Sequence, residues 1–190
     1  NVVRQIGNAL TQRADYHTVV VRSTVLPGTV LDRVVPIIEH AANKQAGKEF
    51  GVAMNPEFLR EGSALKDYNQ PSMIVIGQLN SRSGGAVAKL YENIDGPTIR
   101  TDLATAEMVK YASNAFHGMK VAFANEIGRI SKAHGVDGQV LMEIFREDKR
   151  LNVSGAYLTP GNAFGGSCLP KDTRALVYRA RERDVTVPLL

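Results

Sequence analysis

Thr18-Val-Val-Val-Arg-Ser-Thr-Val-Leu-Pro-Gly-Thr29 decides the fold. Its first six residues form a β-branched run, the mark of a buried strand. Thr24-Val-Leu-Pro-Gly-Thr29 then turns the chain. Residues 29–43 carry apolar positions at helical spacing: Val30, Val34, Ile37, Ile38 and Ala41. Thr29 stands where an N-cap belongs, and Pro36 inside the pattern predicts a kink or a broken first turn. Working outward, residues 2–14 read as the tail of a helix. Phe50-Gly-Val-Ala-Met54 is a second strand, ending at Asn55-Pro56, and Ser72-Met-Ile-Val-Ile-Gly77 is a third. A helix over 81–93 and an edge strand at 98–100 follow. Strands alternating with helices predict the α/β class, with a parallel, doubly wound sheet covered on both faces.

The pattern changes after Thr101. Residues 102–134 are almost free of breakers, with only Gly118 and Gly128 inside, Asp102 to cap the start and Gly135 to end it. A helix of about 33 residues is about 50 Å long at 1.5 Å per residue, which outruns a small domain and calls for a partner, most simply a second copy in a homodimer or a higher homo-oligomer. A shorter helix over 137–148, a Gly/Asn/Ser/Pro-rich loop over 151–167 and a helix from Pro170 to about Arg183 complete the chain. The expected division is 1–101, an α/β domain, and 102–190, an all-α region.

Composition narrows the function. The 190 residues are 44% hydrophobic and 22% charged, enough to bury a core. A single cysteine precludes an internal disulfide and fits a reducing, cytoplasmic compartment. No run of about 18 apolar residues exists to cross a membrane. The net charge of +4 comes without a Lys/Arg block or interleaved aromatics, so anionic small molecules are expected as partners and nucleic acid is not. The chain begins at Asn1 and runs apolar to Leu190, and is read as a piece of a longer protein.

Four constellations carry chemistry. On the long helix Lys110, Asn114, His117 and Asn125 fall within about 80° of one another at 100° per residue, while Ala115, Met119, Ala122 and Ile130 lie opposite. A solvated face is one reading. A ligand-facing stripe is the other, because asparagine is a poor helix former and solvated faces are normally rich in Glu, Lys and Arg. A cation with amides suits an anionic or developing oxyanion. The second constellation is Gly165-Gly-Ser-Cys-Leu-Pro-Lys-Asp172. Cys168 precedes a helix start, where backbone amides and Lys171 would stabilise a thiolate; an inert cysteine is the alternative. The third, Asn55-Pro-Glu-Phe-Leu-Arg-Glu61, begins where a parallel strand ends, the place such sheets bind ligands. Glu57 and Glu61, four apart, would share a helical face there. Ser23-Thr24 occupies the same edge. A thiolate that holds an aldehyde, a cationic stripe and a carboxylate pair make a coherent set for two-step oxidation, which needs a hydride acceptor and no metal.

Ser23-Thr-Val-Leu-Pro-Gly-Thr29, Asn55-Pro-Glu-Phe-Leu-Arg-Glu-Gly62, Lys110 with Asn114, and Phe164-Gly-Gly-Ser-Cys-Leu-Pro-Lys-Asp172 resemble the UDP-glucose/GDP-mannose 6-dehydrogenase family, in its order and over nearly the whole chain. Glu107-Met-Val-Lys-Tyr111, Asn114-Ala-Phe-His117 and Phe123-Ala-Asn-Glu-Ile127 look most like the GDP-mannose branch, which makes the precursor of alginate. The resemblance implies the C-terminal half of a Rossmann-like parallel-sheet domain, then a long helix and an all-α region. The glycine-rich dinucleotide fingerprint and a C-terminal nucleotide domain would lie outside this chain. It implies NAD as cofactor and a four-electron oxidation of the sugar CH₂OH to carboxylate. The nucleophile would be Cys168, with Lys110 and Asn114 stabilising the oxyanion and Asp172 supporting the site. Glu57 with Thr24 would position or activate the hydrolytic water. Glu61, Lys110, Asn114, His117, Asn125, Tyr157 and Gly165 would face the nucleotide sugar, and Thr24 and Lys171 the cofactor. UDP-glucose and UDP-hexosamines are the alternative substrates. The 6-phosphogluconate and 3-hydroxyacid dehydrogenases share Lys-x3-Asn on a long helix but need no cysteine. A non-catalytic helical interaction module is the rival from another class.

Overall fold

The computed structural model describes residues 1–149, 161, 163–182 and 184. The chain divides into two compact units, Asn1–Lys110 and Tyr111–Leu190.

The first unit is built on a four-stranded sheet of order β1-β2-β3-β4: His17–Val21, Phe50–Met54, Ile74–Gln78 and Thr98–Thr101. Alternation along β2 sends Phe50, Val52 and Met54 to one core and Ala53 to the other, so all five of its residues are buried. On the first face Leu10 of α1 (Val2–Thr11) and Val35 and Ile38 of α2 (Val35–Ala42) join Val75, Leu103 and Ala106. On the second, Val87 of α4 (Ser81–Ala88) and Tyr91 pack on Ile74 and Ile76. Both faces are covered, as the mixed α/β pattern predicts. The helix expected over 81–93 ends earlier, tightening into a 3₁₀ turn at Lys89–Tyr91.

Two expectations are corrected. β1 pairs parallel with β2, and β3 parallel with β4, but β3 runs antiparallel to β2 through Ala53↔Gln78 and Met54↔Gly77. The α/β class stands; the all-parallel pairing does not. The connection explains it. Its only helix, α3 (Ala64–Asn69), has six residues and buries none. At about 9 Å it is too short to carry the chain back across a five-residue strand of about 17 Å. Thr29 is the second correction. It has helical φ and ψ and makes no side-chain cap bond. The break predicted at Pro36 is present: Val30–Val34 is a π-helical turn, and α2 begins only at Val35 with the proline in its first turn.

The long helix, α5, runs Leu103–Ala133. Asp102 caps it, with Oδ1 accepting from Thr105 N–H at 2.8 Å and Oδ2 from the Thr105 hydroxyl at 2.6 Å. Gly77 of β3 admits its first turn: a Cβ there would stand 2.6 Å from Ala106 Cβ. At the far end Gly135 takes φ +69, and Val136 N–H reaches Ser131 O at 2.9 Å, a Schellman stop. In the second unit α6 (Gly138–Glu147) is capped by Asp137 and packs Met142 against Ala124, while α7 (Leu169–Arg181) starts as expected around Pro170.

Candidate active site

In the first unit the site grows from the end of β2. Asn55 is buried, and both ends of its amide are bonded: Oδ1 accepts from Arg22 Nη1 at 2.8 Å and from the Tyr91 hydroxyl at 2.5 Å, while Nδ2 donates to Val75 O at 2.9 Å. This polar clamp closes the gap where β2 and β3 part, and it fixes the start of the Pro56–Glu61 segment. Glu57 Oε2 accepts from Leu59 N–H at 2.7 Å, and Oε1 lies 2.9 Å from Lys110 Nζ. Burial alone would push the Glu57 carboxyl up. The hydrogen bonds from Lys110 and Leu59 outweigh it and hold Glu57 below the ordinary range. Glu57 and Glu61 do not share a helical face, because Pro56 and the Leu59 turn keep the segment irregular until α3. Glu61 is exposed, and the neighbouring Arg60 binds Asp67 through two nitrogens. Thr24 is half-buried just beyond β1.

In the second unit Asp172, 2% exposed at the start of α7, accepts from Asn114 Nδ2 at 2.6 Å. A carboxylate partner decides which end of the amide faces it, so Asn114 is oriented as well as buried. Asp172 also pairs with Lys171. Its carboxylate holds Lys171 above the ordinary lysine range against a smaller loss from burial. Cys168 is exposed one residue before the helix, and its carbonyl accepts from Asp172 N–H at 2.9 Å. Sγ lies 3.6 Å from Ser167 Oγ. Lys171 therefore stands with Asp172 more closely than the sequence suggested. Phe164 lies against Gly118. Asn125 Oδ1 accepts from Gly161 N–H at 2.6 Å, tying the segment before the cysteine to α5. Gly165 is exposed and His117 is half-buried; Tyr157 lies outside the described residues.

Burial distinguishes the two readings of the long helix. Lys110 and Asn114 are each 7% exposed, and His117 and Asn125 are half-buried. Met108, Met119 and Phe123 are 41%, 37% and 43% exposed. The polar stripe is inside and much of the apolar face is outside, the reverse of a solvated helix. Burying an amine and an amide costs free energy unless they are paired, and here both have carboxylate partners.

Sequence reasoning missed Asn55 as a clamp, Arg22 and Tyr91 beside it, and Glu107. Asn55, Arg22 and Glu107 stood within quoted stretches without a role, and nothing local marks Tyr91. Among the described residues no group of three or more His, Cys, Asp and Glu could hold a metal ion, and no helix is long and apolar enough to cross a membrane. The hydroxyls of Ser23 and Thr24, at the carboxyl end of a parallel strand, fit the hydroxyl- and amide-bearing nicotinamide half of a dinucleotide. No G-x-G-x-x-G turn for its pyrophosphate occurs in the 190 residues.

A sheet covered on both faces, with hydroxyl, carboxylate and amine groups around its strand ends, defines a dinucleotide-domain protein of the dehydrogenase type. Residues 1–95 match the NAD binding domain of the UDP-glucose/GDP-mannose dehydrogenase family, and residues 104–190 match its central domain. The chain belongs to that family. It is 57% identical, over all 190 residues, to the GDP-mannose 6-dehydrogenase of Pseudomonas savastanoi pv. phaseolicola, and it spans 43% of that protein's length. Its fold is similar to a ternary complex of GDP-mannose dehydrogenase from Pseudomonas aeruginosa, with TM-score 0.78 and 54% identity over 99% of this chain and 43% of that one. It is also similar to a UDP-glucose dehydrogenase from Pyrobaculum islandicum, with TM-score 0.89 and 40% identity over 96% and 41%.

Proposed function

We propose that this chain carries the catalytic residues of an NAD-dependent nucleotide-sugar 6-dehydrogenase that converts GDP-mannose to GDP-mannuronate. The observation that carries the reading is the buried polar stripe of α5: Lys110 paired with Glu57, and Asn114 oriented by Asp172. Identity of 57% to a GDP-mannose enzyme, against 40% to a UDP-glucose enzyme, supports GDP-mannose over the uridine alternatives.

NAD⁺, when bound against Thr24 and Lys171, supplies the hydride acceptor for each of two oxidations. The chain's residues do the rest. Lys110 and Asn114 hold the C6 oxygen as negative charge develops on it. Once the alcohol has lost a proton and a hydride, the Cys168 sulfur bonds to the aldehyde carbon as a thiohemiacetal. Loss of a second hydride, with the proton of the thiohemiacetal hydroxyl, leaves a thioester on Cys168. Water then adds to the acyl carbon, the carbon–sulfur bond breaks, and Cys168 returns as thiolate while the carboxylate departs. A carboxylate held below its ordinary range is a weak base, so Glu57, with Thr24, orients that water more than it deprotonates it. Glu61, His117, Asn125, Tyr157 and Gly165 would contact the nucleotide sugar.

The exposed Met108, Met119 and Phe123 support a homodimer built on α5. The single cysteine supports a cytoplasmic setting, and we place the domain division at 101/102. The test is to assay the full-length protein with GDP-mannose, UDP-glucose and UDP-hexosamines. Two NADH per uronate from GDP-mannose is the expected result. Uronate from a UDP-sugar alone would move the substrate assignment, and no NADH from any of them would favour the interaction module.

A further inference from the structure

Glu107 lies on α5 one turn before Lys110 and is fully buried, yet the mechanism above does not use it. Its carboxylate accepts two backbone N–H groups, Gly28 at 2.6 Å and Val30 at 2.8 Å, 79 and 77 residues away in the chain. Those donors open the helical segment after β1. A helix start leaves such groups without partners, and Thr29 supplies no side-chain cap there. The carboxylate of a distant helix does so instead, through charge-assisted bonds.

The geometry is selective about what it joins. The strapped segment is the end of the loop that carries Thr24. Three residues further along α5, Lys110 holds Glu57 at the end of β2. One turn of one helix thus fixes the loop after β1 through Glu107 and the loop after β2 through Lys110. A hydrophobic residue at 107 would fill the space but leave two N–H groups of the Thr24 loop without an acceptor, each at a cost of about 1–3 kcal/mol.

We propose that Glu107 is a positioning residue. It straps the Thr24–Gly28 loop to α5 in register with Lys110, so that Thr24, Glu57 and Lys110 act on one reacting centre. The proposal rests on the dehydrogenase reading, and in particular on Thr24 serving thioester hydrolysis.

The test uses the full-length protein and the Glu107→Gln variant, with Glu107→Asp as a second. The Gln amide keeps one acceptor and turns an NH₂ toward the other N–H; Asp keeps the charge but falls short. Two measurements are made. The first is hydrogen exchange at Gly28 and Val30, which does not depend on the activity. Exchange there should quicken at least about 10-fold in Glu107→Gln, with Val52 in the sheet core unchanged. The second is the partition of the reaction with GDP-mannose, read as uronate per NADH and as Cys168 adduct by intact mass. Glu107→Gln should still form first-turnover NADH, while uronate lags and the acyl adduct accumulates, with Glu107→Asp intermediate. Combining Glu107→Gln with Thr24→Ala should slow hydrolysis no further than Thr24→Ala alone.

Unchanged exchange overturns the strap. Quickened exchange with uronate and NADH falling in proportion makes Glu107 structural only and overturns the positioning role. A wild-type protein that reduces no NAD⁺ with any nucleotide sugar sinks the dehydrogenase reading instead, and exchange alone then decides whether Glu107 holds the loop.

Discussion

The two faces of α5 differ in the opposite sense to most surface helices. One carries Glu107, Lys110 and Asn114, all buried; the other carries Met108, Met119 and Phe123, all exposed. A helix that only completed a core would turn its methionines inward and its lysine out. Apolarity alone did not choose the buried face, although Leu103, Ala106 and Ala124 share it. Its polar members are there because they have specific partners: Gly28 and Val30 amides for Glu107, Glu57 for Lys110 and Asp172 for Asn114. Burying such groups is tolerated because each has its partner, and an apolar face left outside calls for something to cover it.

The comparison can be broken most sharply at Lys110. Lys110→Ala in the full-length protein should lower kcat by about 10²-fold or more, the scale for losing an oxyanion donor. A rise confined to KM would make Lys110 a substrate anchor. Asp172→Asn comes next. It keeps the shape but removes the charge that orients Asn114, so kcat should fall about 10-fold and stability by about 1–3 kcal/mol; unfolding in urea alongside steady-state rates separates the two effects.

The buried face also predicts a pH signature. Glu57 is held below its ordinary value of 4.5, so the stability it contributes is present above that pH and is lost as pH falls below it. Glu107 runs the other way. Burial raises it above 4.5 despite its two amide bonds, so the folded state holds that proton more tightly and stability declines as pH rises through the window above 4.5. Comparing urea midpoints from pH 3.5 to 7 for wild type, Glu57→Gln and Glu107→Gln checks both signs: the first variant should flatten the acid limb and the second the limb above 4.5.

The smallest effect on the fold belongs to the outer face. Met108→Glu with Met119→Glu should change unit stability by little, about 0.5 kcal/mol per exposed site, while shifting the full-length protein toward monomer in light scattering. An unchanged oligomer would place the interface elsewhere.

Much of this was legible in the sequence. Short apolar runs between turn signals, β-branched at Thr18–Val21, marked all four strands to within two residues, and Asp102 and Gly135 marked both ends of α5, because these signals are local. The asparagines of α5 told correctly that the face was unusual, since helix propensity gives no reason for them. Other features depend on distant partners. The direction of β3 follows from how residues 55–73 return, which composition does not encode. Glu57 and Glu61 were spaced for a helix that Pro56 and the Leu59 turn prevent. Thr29 was the obvious cap by proximity, and Glu107, some 77 residues on, does the capping.

The proposed covalent role of Cys168 is put to the test by the Cys168→Ser variant of the full-length protein. Serine keeps the shape, but its hydroxyl stays protonated near neutral pH and is a far weaker nucleophile. The variant should bind GDP-mannose and NAD⁺ yet form uronate at least about 10³-fold more slowly, stalling as aldehyde or adduct. Uronate formation at close to the wild-type rate would contradict it.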